Sequence, residues 1–309
     1  MKSNIQKISY ILLGVCISGI LILFSFSDTP QIKKTDTQKE TTFVAVDLYI
    51  PDKISIFGES VPLEYYDVVE SLERELLVNV YYQSQTVQYL KYVHRYFPII
   101  DSVLQANNLH TDFKYLALAE SGLRVNISPK GAAGFWQFIE TTAKEYNLTV
   151  NEQIDQRYDL IKSTEAACKY LKTGYNKFNS WTMVAASYNL GMGGLNKQAE
   201  FQKVTSYYDL YTNSETARYV FRIIALKLII ENPEKYGYHE IKPYPSIPYK
   251  TVTVDSTIQN LQEFAISQGS NYKLLKTMNP WLRDKYLLNP QRIPYKIIII
   301  KNSDRILKK

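Results

Sequence analysis

The sequence predicts a mainly α-helical protein with a small α+β module at its C-terminal end, and three observations lead there. Apolar residues recur at helical spacing almost throughout from Pro62 to about Asn232. A Pro-rich stretch at 241–248, IKPYPSIP, then interrupts the chain as a linker. Beyond it the period changes. Residues 249–254 alternate like a strand, 258–268 read as a short helix, and 296–301 form a continuous β-branched run.

Taken in order, the first element is residues 8–26, ISYILLGVCISGILILFSF, which carry no charge and follow Lys2 and Lys7. Nineteen residues at ~1.5 Å each span roughly 28 Å, about one bilayer core. Residues 1–27 therefore read as a transmembrane anchor with its basic end inside and the rest of the chain outside the cytoplasm. A cleaved signal peptide is the alternative, with Ser25-Phe26-Ser27 as a small-x-small site. Residues 28–46, rich in Thr, Lys and Gln, make a polar tether. An N-terminal helical extension follows at 47–110. Its run from 66 to 90 is amphipathic, and Phe97-Pro98 opens a further helix that stops near Asn107-Asn108.

The main helical domain is placed at 111–240. A helix is expected over 112–121. Ser163 is the expected N-cap of another, which bears Ala166, Ala167, Tyr170, Leu171 and Tyr175. A third runs from Trp181 to a stop at Gly191. The last starts at Ser214, aligns Tyr219, Ile223, Leu226 and Ile230, and is closed by Pro233. The module after the linker occupies 249–309.

Composition excludes several classes of function. The chain has 309 residues with 45% hydrophobic and 21% charged, which is globular rather than disordered. Two Cys and three His neither build a disulfide framework nor reach zinc spacing, so no metal site is expected. A net charge of +6 is too mild and too evenly spread for a nucleic-acid partner, but suits an anionic polymer or a membrane. Gly191-Met192-Gly193-Gly194 is not a dinucleotide loop, because Asn196 holds the third-Gly position and a helix rather than a strand precedes it.

One acidic residue stands out. Phe113, Leu116, Ala117 and Glu120 sit at i, i+3, i+4 and i+7, so the carboxyl shares an apolar stripe. It also lies in the last turn, where the helix dipole disfavours negative charge. Both effects raise its pKa, as a general acid near neutral pH requires. The plainer reading is a carboxylate at a frayed helix end that turns to water. Downstream, residues 128–138 read SPKGAAGFWQF. Glycines there allow close backbone approach, Phe135 and Trp136 offer flat apolar faces, and Gln137 a donor and an acceptor. The combination suits a sugar ring with an N-acetyl group, and equally a tight helix–helix packing turn.

Glu120-Ser121, then the segment 131–138, then Ala186-Ser187-Tyr188-Asn189-Leu190-Gly191 occur in the order and spacing of a known family. Together they resemble lytic murein transglycosylases with a goose-type, lysozyme-like SLT fold, the membrane-bound D branch in particular. Segments 155–159, 215–220 and 232–237 extend the resemblance, which covers roughly residues 50–300. It implies that 111–240 is the catalytic domain and that Glu120 is the single catalytic acid and base. It further implies that Ser128 bonds the muramic N-acetyl group, that Gln137 and Tyr188 line the cleft, and that Asn189 supports the loop. Tyr219 would help to hold the glutamate or the sugar. Ser187 replaces the family's usual Ala, and Glu140 stands where many relatives have Pro. The module at 249–309 resembles a degenerate LysM domain through residues 253–258, Leu275 to Asn279-Pro280, and Ile293-Pro294. It is either a glycan binder or a structural cap.

The resemblance implies cleavage of peptidoglycan glycan strands between N-acetylmuramic acid and N-acetylglucosamine without water or cofactor, leaving 1,6-anhydromuramic ends. Most glycosidases need two carboxyls, and the motif segments supply one. A muramidase that uses Asp155 or Asp159 as second carboxylate is the enzymatic alternative. A silent peptidoglycan-binding scaffold is the non-enzymatic one. The working place is the periplasmic side of a bacterial envelope, with the membrane as partner of the anchor.

Overall fold

The structure is a computed structural model that describes residues 48–306. The expected anchor at 1–27 and the whole of the tether at 28–46 lie outside the described residues, as does Cys16. Among the described residues, no helix is long and apolar enough to cross a membrane.

A two-residue hairpin opens the fold, β1 (Ser55–Ile56) against β2 (Glu59–Ser60). The helices α1 (Tyr66–Tyr81), α2 (Gln83–Ala106), α3 (Phe113–Ser121), α4 (Glu140–Glu145), α5 (Leu160–Phe178), α6 (Trp181–Leu190), α7 (Met192–Gln202) and α8 (Ser214–Glu231) follow. The last element group is β3 (Lys250–Val254), α9 (Leu261–Ser267), α10 (Tyr272–Met278) and β4 (Tyr295–Ile299). A mainly α protein with a small α+β module is therefore what the chain builds.

Helix α8 is the axis of the first core. Tyr219, Val220, Phe221, Ile223, Ile224, Ala225, Leu226, Leu228 and Ile229 are all buried on it, far more than one stripe. A helix apolar nearly all round must be enclosed, and α1, α3 and α6 enclose it. One continuous buried cluster runs from Ile54 to Tyr238, so the 47–110 helices share a core with those that follow.

Three helix boundaries differ from the sequence expectation. The amphipathic run at 66–90 is two helices, broken at Tyr82, whose ψ of 60° is non-helical. Buried Thr86 Oγ1 donates to the Asn79 carbonyl at 2.5 Å, satisfying one of the acceptors that the end of α1 leaves open. Pro98 does not open a helix but sits inside α2. It and His94, four residues earlier, are both exposed, so the carbonyl that Pro98 cannot serve is left to water. Ser163 is not the cap of α5. Asp159 is, its Oδ1 accepting from Lys162 N at 2.9 Å, while Ser163 is buried in the first turn and donates to the Asp159 carbonyl at 2.6 Å.

The C-terminal module has its own core, and that core reaches into the helical part. Ala133, Ile154 and Tyr158 belong to it together with Leu261, Leu275, Trp281, Leu282 and Ile297. Ile154 bridges Leu282, Asp155 N donates to the Trp281 carbonyl at 2.9 Å, and Arg283 N donates to the Gln153 carbonyl at 2.8 Å. Inside the module, buried Asn279 donates from Nδ2 to the Leu275 and Ile298 carbonyls and accepts from Ile298 N. That is what an Asn before Pro280 does here: it ties α10 to β4.

The Pro-rich linker is strapped down. Tyr244 N donates to the Lys91 carbonyl at 3.0 Å, Arg95 Nη2 to the Pro245 carbonyl at 3.1 Å, and both cations lie over the Tyr244 ring. Because module and helical part share one core, Leu282→Ala is expected to cost about 2–5 kcal/mol in urea unfolding. Amide exchange should rise at 151–158 as well as inside the module. Exchange that rises only inside the module would mean the two parts are not coupled.

Candidate functional site

Helix α3 buries Phe113, Leu116 and Ala117 in the first core, and the stripe ends on Glu120. The helix stops at Gly122, whose φ is +62°. A Cβ there would come 2.8 Å from Tyr89 Cε1, so close packing as well as backbone conformation calls for glycine. Glu120 is half-buried, and the Tyr219 hydroxyl donates to its Oε1 from α8. Burial pushes its pKa up to about 7, opposed by the Tyr219 hydrogen bond and the Arg222 charge and reinforced by Glu215. A carboxyl titrating there can give a proton and take one back at neutral pH.

The loop that follows is held from three sides. Within it, Ser128 Oγ accepts from Ala132 N at 3.0 Å and Ser128 N donates to the Ala132 carbonyl at 2.8 Å. Gly134, at φ +80°, lies so close to the Arg157 carbonyl that a Cβ would stand 1.8 Å from it. Arg157 is buried in an ion pair with Asp155 at 2.7 Å and donates from Nη1 to the Gly131 and Phe138 carbonyls. Ser121 Oγ, next to Glu120, donates to the Phe135 carbonyl at 2.8 Å, and Tyr188 OH donates to the Trp136 carbonyl at 2.8 Å. These contacts register the loop against the glutamate.

Several expected site residues turn out to serve the framework. Trp136 is fully buried and its Nε1 donates to Thr164 Oγ1 at 2.9 Å, so its ring is core and not a sugar-stacking face. Phe135 is buried as well, its ring 5.5 Å from that of Tyr96. The glycine turns that bring this loop close also press both aromatic rings inward. Gln137, at φ +48°, turns Nε2 back onto the Asn126 and Gly134 carbonyls. Asn189 accepts from Thr216 Oγ1 at 2.8 Å and donates to Glu215 Oε1 at 3.1 Å, joining the end of α6 to the start of α8. Tyr188 is half-buried, and its hydroxyl feels the charge of Glu120. Asp155 pairs with Arg157 and Asp159 caps α5.

A cavity of about 430 Å³ opens beside Glu120. Its walls are Val78, Asn79, Tyr82, Gln85 and Tyr89 from α1, α2 and their junction, residues 119–122 with Arg124 and Asn126 after α3, and Arg218, Arg222 and Leu226 from α8. Ser128, Gln137, Tyr188, Asn189 and Tyr219 are not part of that lining.

Against known proteins, residues 98–210 match the Transglycosylase SLT domain, and residues 250–303 match the Soluble lytic transglycosylase C-terminal LysM-like domain. Residues 98–210 are thus similar to an SLT domain. It is 27% identical over 211 residues to the Membrane-bound lytic murein transglycosylase D of Escherichia coli strain K12, covering 66% of this chain and 46% of that one. The protein of the same name from Escherichia coli O6:H1 matches to the same extent. The chain thus spans about half the length of the curated relatives it matches.

The matched SLT segment ends before α8, yet α8 supplies Tyr219, Arg218 and Arg222 to the site. Sequence reading missed the arginines and the α1–α2 wall. A signal existed: Arg218 and Arg222 are one turn apart and flank Tyr219 on the same helix. Nothing in the sequence said that α1 and α2 face them.

Two expectations follow. Between pH 4.5 and 7 the folded chain binds more protons at Glu120 than the unfolded chain, so this group's contribution to stability falls as pH rises. Glu120→Gln removes that loss, and the variant should gain on the native chain from pH 5 to pH 8 by up to about 3 kcal/mol in urea unfolding. A difference constant with pH would contradict a buried, raised carboxyl. Gly134→Ala should lower the melting temperature several degrees more than Gly131→Ala. Both positions have positive φ, but a Cβ at Gly131 meets nothing within 4 Å.

Proposed function

We propose that the chain is a peptidoglycan lytic transglycosylase that cleaves the β-1,4 bond between N-acetylmuramic acid and N-acetylglucosamine without water. The observation that carries this reading is Glu120, a half-buried carboxyl raised to about 7, set within an SLT domain and held by Tyr219. In its acid form Glu120 donates its proton to the glycosidic oxygen as the bond breaks. The N-acetyl oxygen of the muramic residue attacks the anomeric carbon as the leaving sugar departs. Glu120, now a carboxylate, takes the proton of the muramic 6-hydroxyl, whose oxygen displaces the N-acetyl group and closes the 1,6-anhydro ring. The proton count returns to its start, and no cofactor enters.

Tyr219 is a positioning residue in this scheme. Burial and the neighbouring glutamate push its pKa up well above the usual value, so it stays a hydrogen-bond donor throughout the cycle. Ser128, Gln137, Tyr188 and Asn189 shape the cleft wall through the loop and the α6–α8 junction. The extension at 47–110 completes the catalytic unit of 111–240 by walling the cavity. The relatives' name places them at a membrane and on murein, and the same envelope setting is proposed for this chain, anchored or exported by residues 1–27.

The hydrolytic alternative acquires a new candidate. Asp155 and Asp159 are occupied in pairing and capping, whereas Glu215 is the carboxylate whose charge reaches Glu120. On purified sacculi, Glu120→Gln should lose more than the ~10²–10⁴-fold of a single proton transfer. The native products should be lighter by one water than the hydrolytic ones, and Glu215→Gln should keep releasing them. Products carrying the full mass of water, or a dead Glu215→Gln that remains folded, would establish hydrolysis with two carboxylates. Near-normal rates in Glu120→Gln would remove the proposal altogether.

A further inference from the structure

We propose that Glu75 is a positioning residue for Glu120: it holds the Arg222 guanidinium toward α1 and so keeps it from closing an ion pair with that carboxyl. The inference deepens the function proposed above and rests on it, since it names what leaves the acid free to exchange its proton.

Glu75 lies on the buried face of α1 with Val68, Leu72 and Leu76, and only 1% of its side chain is exposed. Its Oε1 accepts from Arg218 Nε at 2.5 Å. Its Oε2 is buried with no hydrogen-bond partner among the described residues. Arg222 Nε stands 3.6 Å from it, which makes an ion pair without a hydrogen bond. A carboxylate stripped of water depends on its cations, and burial strengthens their attraction. Stability alone does not call for such a cluster, because well-packed apolar side chains would serve as well there. Arg222 sits at the edge of this core, with 32% of its side chain exposed. It also lines the cavity together with Glu120, and its charge reaches that carboxyl, although the two form no ion pair. One guanidinium thus stands between two carboxyls, and the deeper one holds it.

The consequence for the chemistry is direct. An arginine paired with Glu120 would lower its pKa by about 1–3. From about 7, a fall of one leaves roughly a tenth of the molecules in the acid form at pH 7 instead of half. The carboxylate would also become a weaker base toward the muramic 6-hydroxyl. The titratable and charged groups that face Glu120 are Tyr219, Arg222 and Glu215 from α8 and Tyr188 from α6. Tyr82, Tyr89, Arg124 and Arg218 stand in the cavity wall. Glu75 is faced by Arg218, Arg222 and Tyr207. Among the charges that act on Glu120, Arg222 is the cation and Glu75 is not one of them, so the influence of Glu75 runs through Arg222.

The test titrates Glu120 itself, by carboxyl NMR of the full chain made with isotope-labelled glutamate, its signal assigned by its loss in Glu120→Gln. In Glu75→Gln the midpoint should fall by about one pH unit, because Arg222 is released onto Glu120. In a chain that already carries Arg222→Gln, adding Glu75→Gln should leave the midpoint where it was. The alkaline limb of sacculus cleavage should move to lower pH in Glu75→Gln by the same amount. An unchanged midpoint in Glu75→Gln overturns the proposal. An equal fall with and without Arg222 overturns it too, because Glu75 would then act as a distant charge and position nothing. The midpoint is read on folded chain only. If Glu75→Gln does not fold, Glu75→Asp takes its place, keeping the charge but withdrawing it by one methylene. It should give a smaller fall that Arg222→Gln again removes, and no fall in it overturns the proposal. Cleavage by the native chain is read separately. Its absence would sink the transglycosylase reading, which the midpoint comparison does not depend on.

Discussion

A carboxyl group keeps its proton at pH 7 only where water is scarce and no cation stands close enough to replace it. The end of α3 meets that condition at Glu120, and the structure around it is arranged to maintain the balance. Burial is the largest influence and raises the pKa; the Tyr219 hydroxyl and the Arg222 charge pull back. Neither opposing group is a full ion pair. An arginine directly on Glu120 would fix it as a carboxylate and end its use as an acid.

Glu75 shows the other outcome of the same sequence pattern. It too lies on the buried face of its helix, with Val68, Leu72 and Leu76 on α1, and is more deeply buried than Glu120. There Arg218 and Arg222 close on it from α8, and it becomes an anchor for cations. One helix, α8, therefore treats the two glutamates differently: it gives Glu75 guanidinium groups and Glu120 a phenol hydroxyl. The register of a single helix separates a structural carboxylate from one able to exchange protons.

The C-terminal module takes part in the same framework. Its Trp281 and Arg283 pair with the backbone of residues 153–155, and Arg283 lies 4.5 Å over the Tyr158 ring. From that segment Arg157 reaches the Gly131 and Phe138 carbonyls, and Ser121 ties Phe135 to the glutamate's helix. A chain of hydrogen bonds thus connects the module to the loop beside Glu120. This favours a structural role for the module, because the contacts that dock it are short and largely backbone to backbone.

Periodicity and punctuation determined much by themselves. The 3.6-residue pattern located α3, α6 and α8, the Gly and Pro stops closed α6 and α8, and the change of period at the linker separated the module. Glu120 was legible because a charge on an apolar stripe is a local anomaly. What the sequence left open were matters of which surfaces meet. The break at Tyr82, the passage of α2 through Pro98 and the cap at Asp159 depend on solvent and partner groups that local pattern does not encode. Phe135 and Trp136 looked like exposed faces because composition cannot say which way a glycine-rich loop turns. The cavity required α1, α2 and α8 to converge on α3 from positions up to a hundred residues apart in the chain. Residue type and spacing could nominate the acid, but only tertiary packing could strip its water, bring the tyrosine to it and gather the arginines at its side.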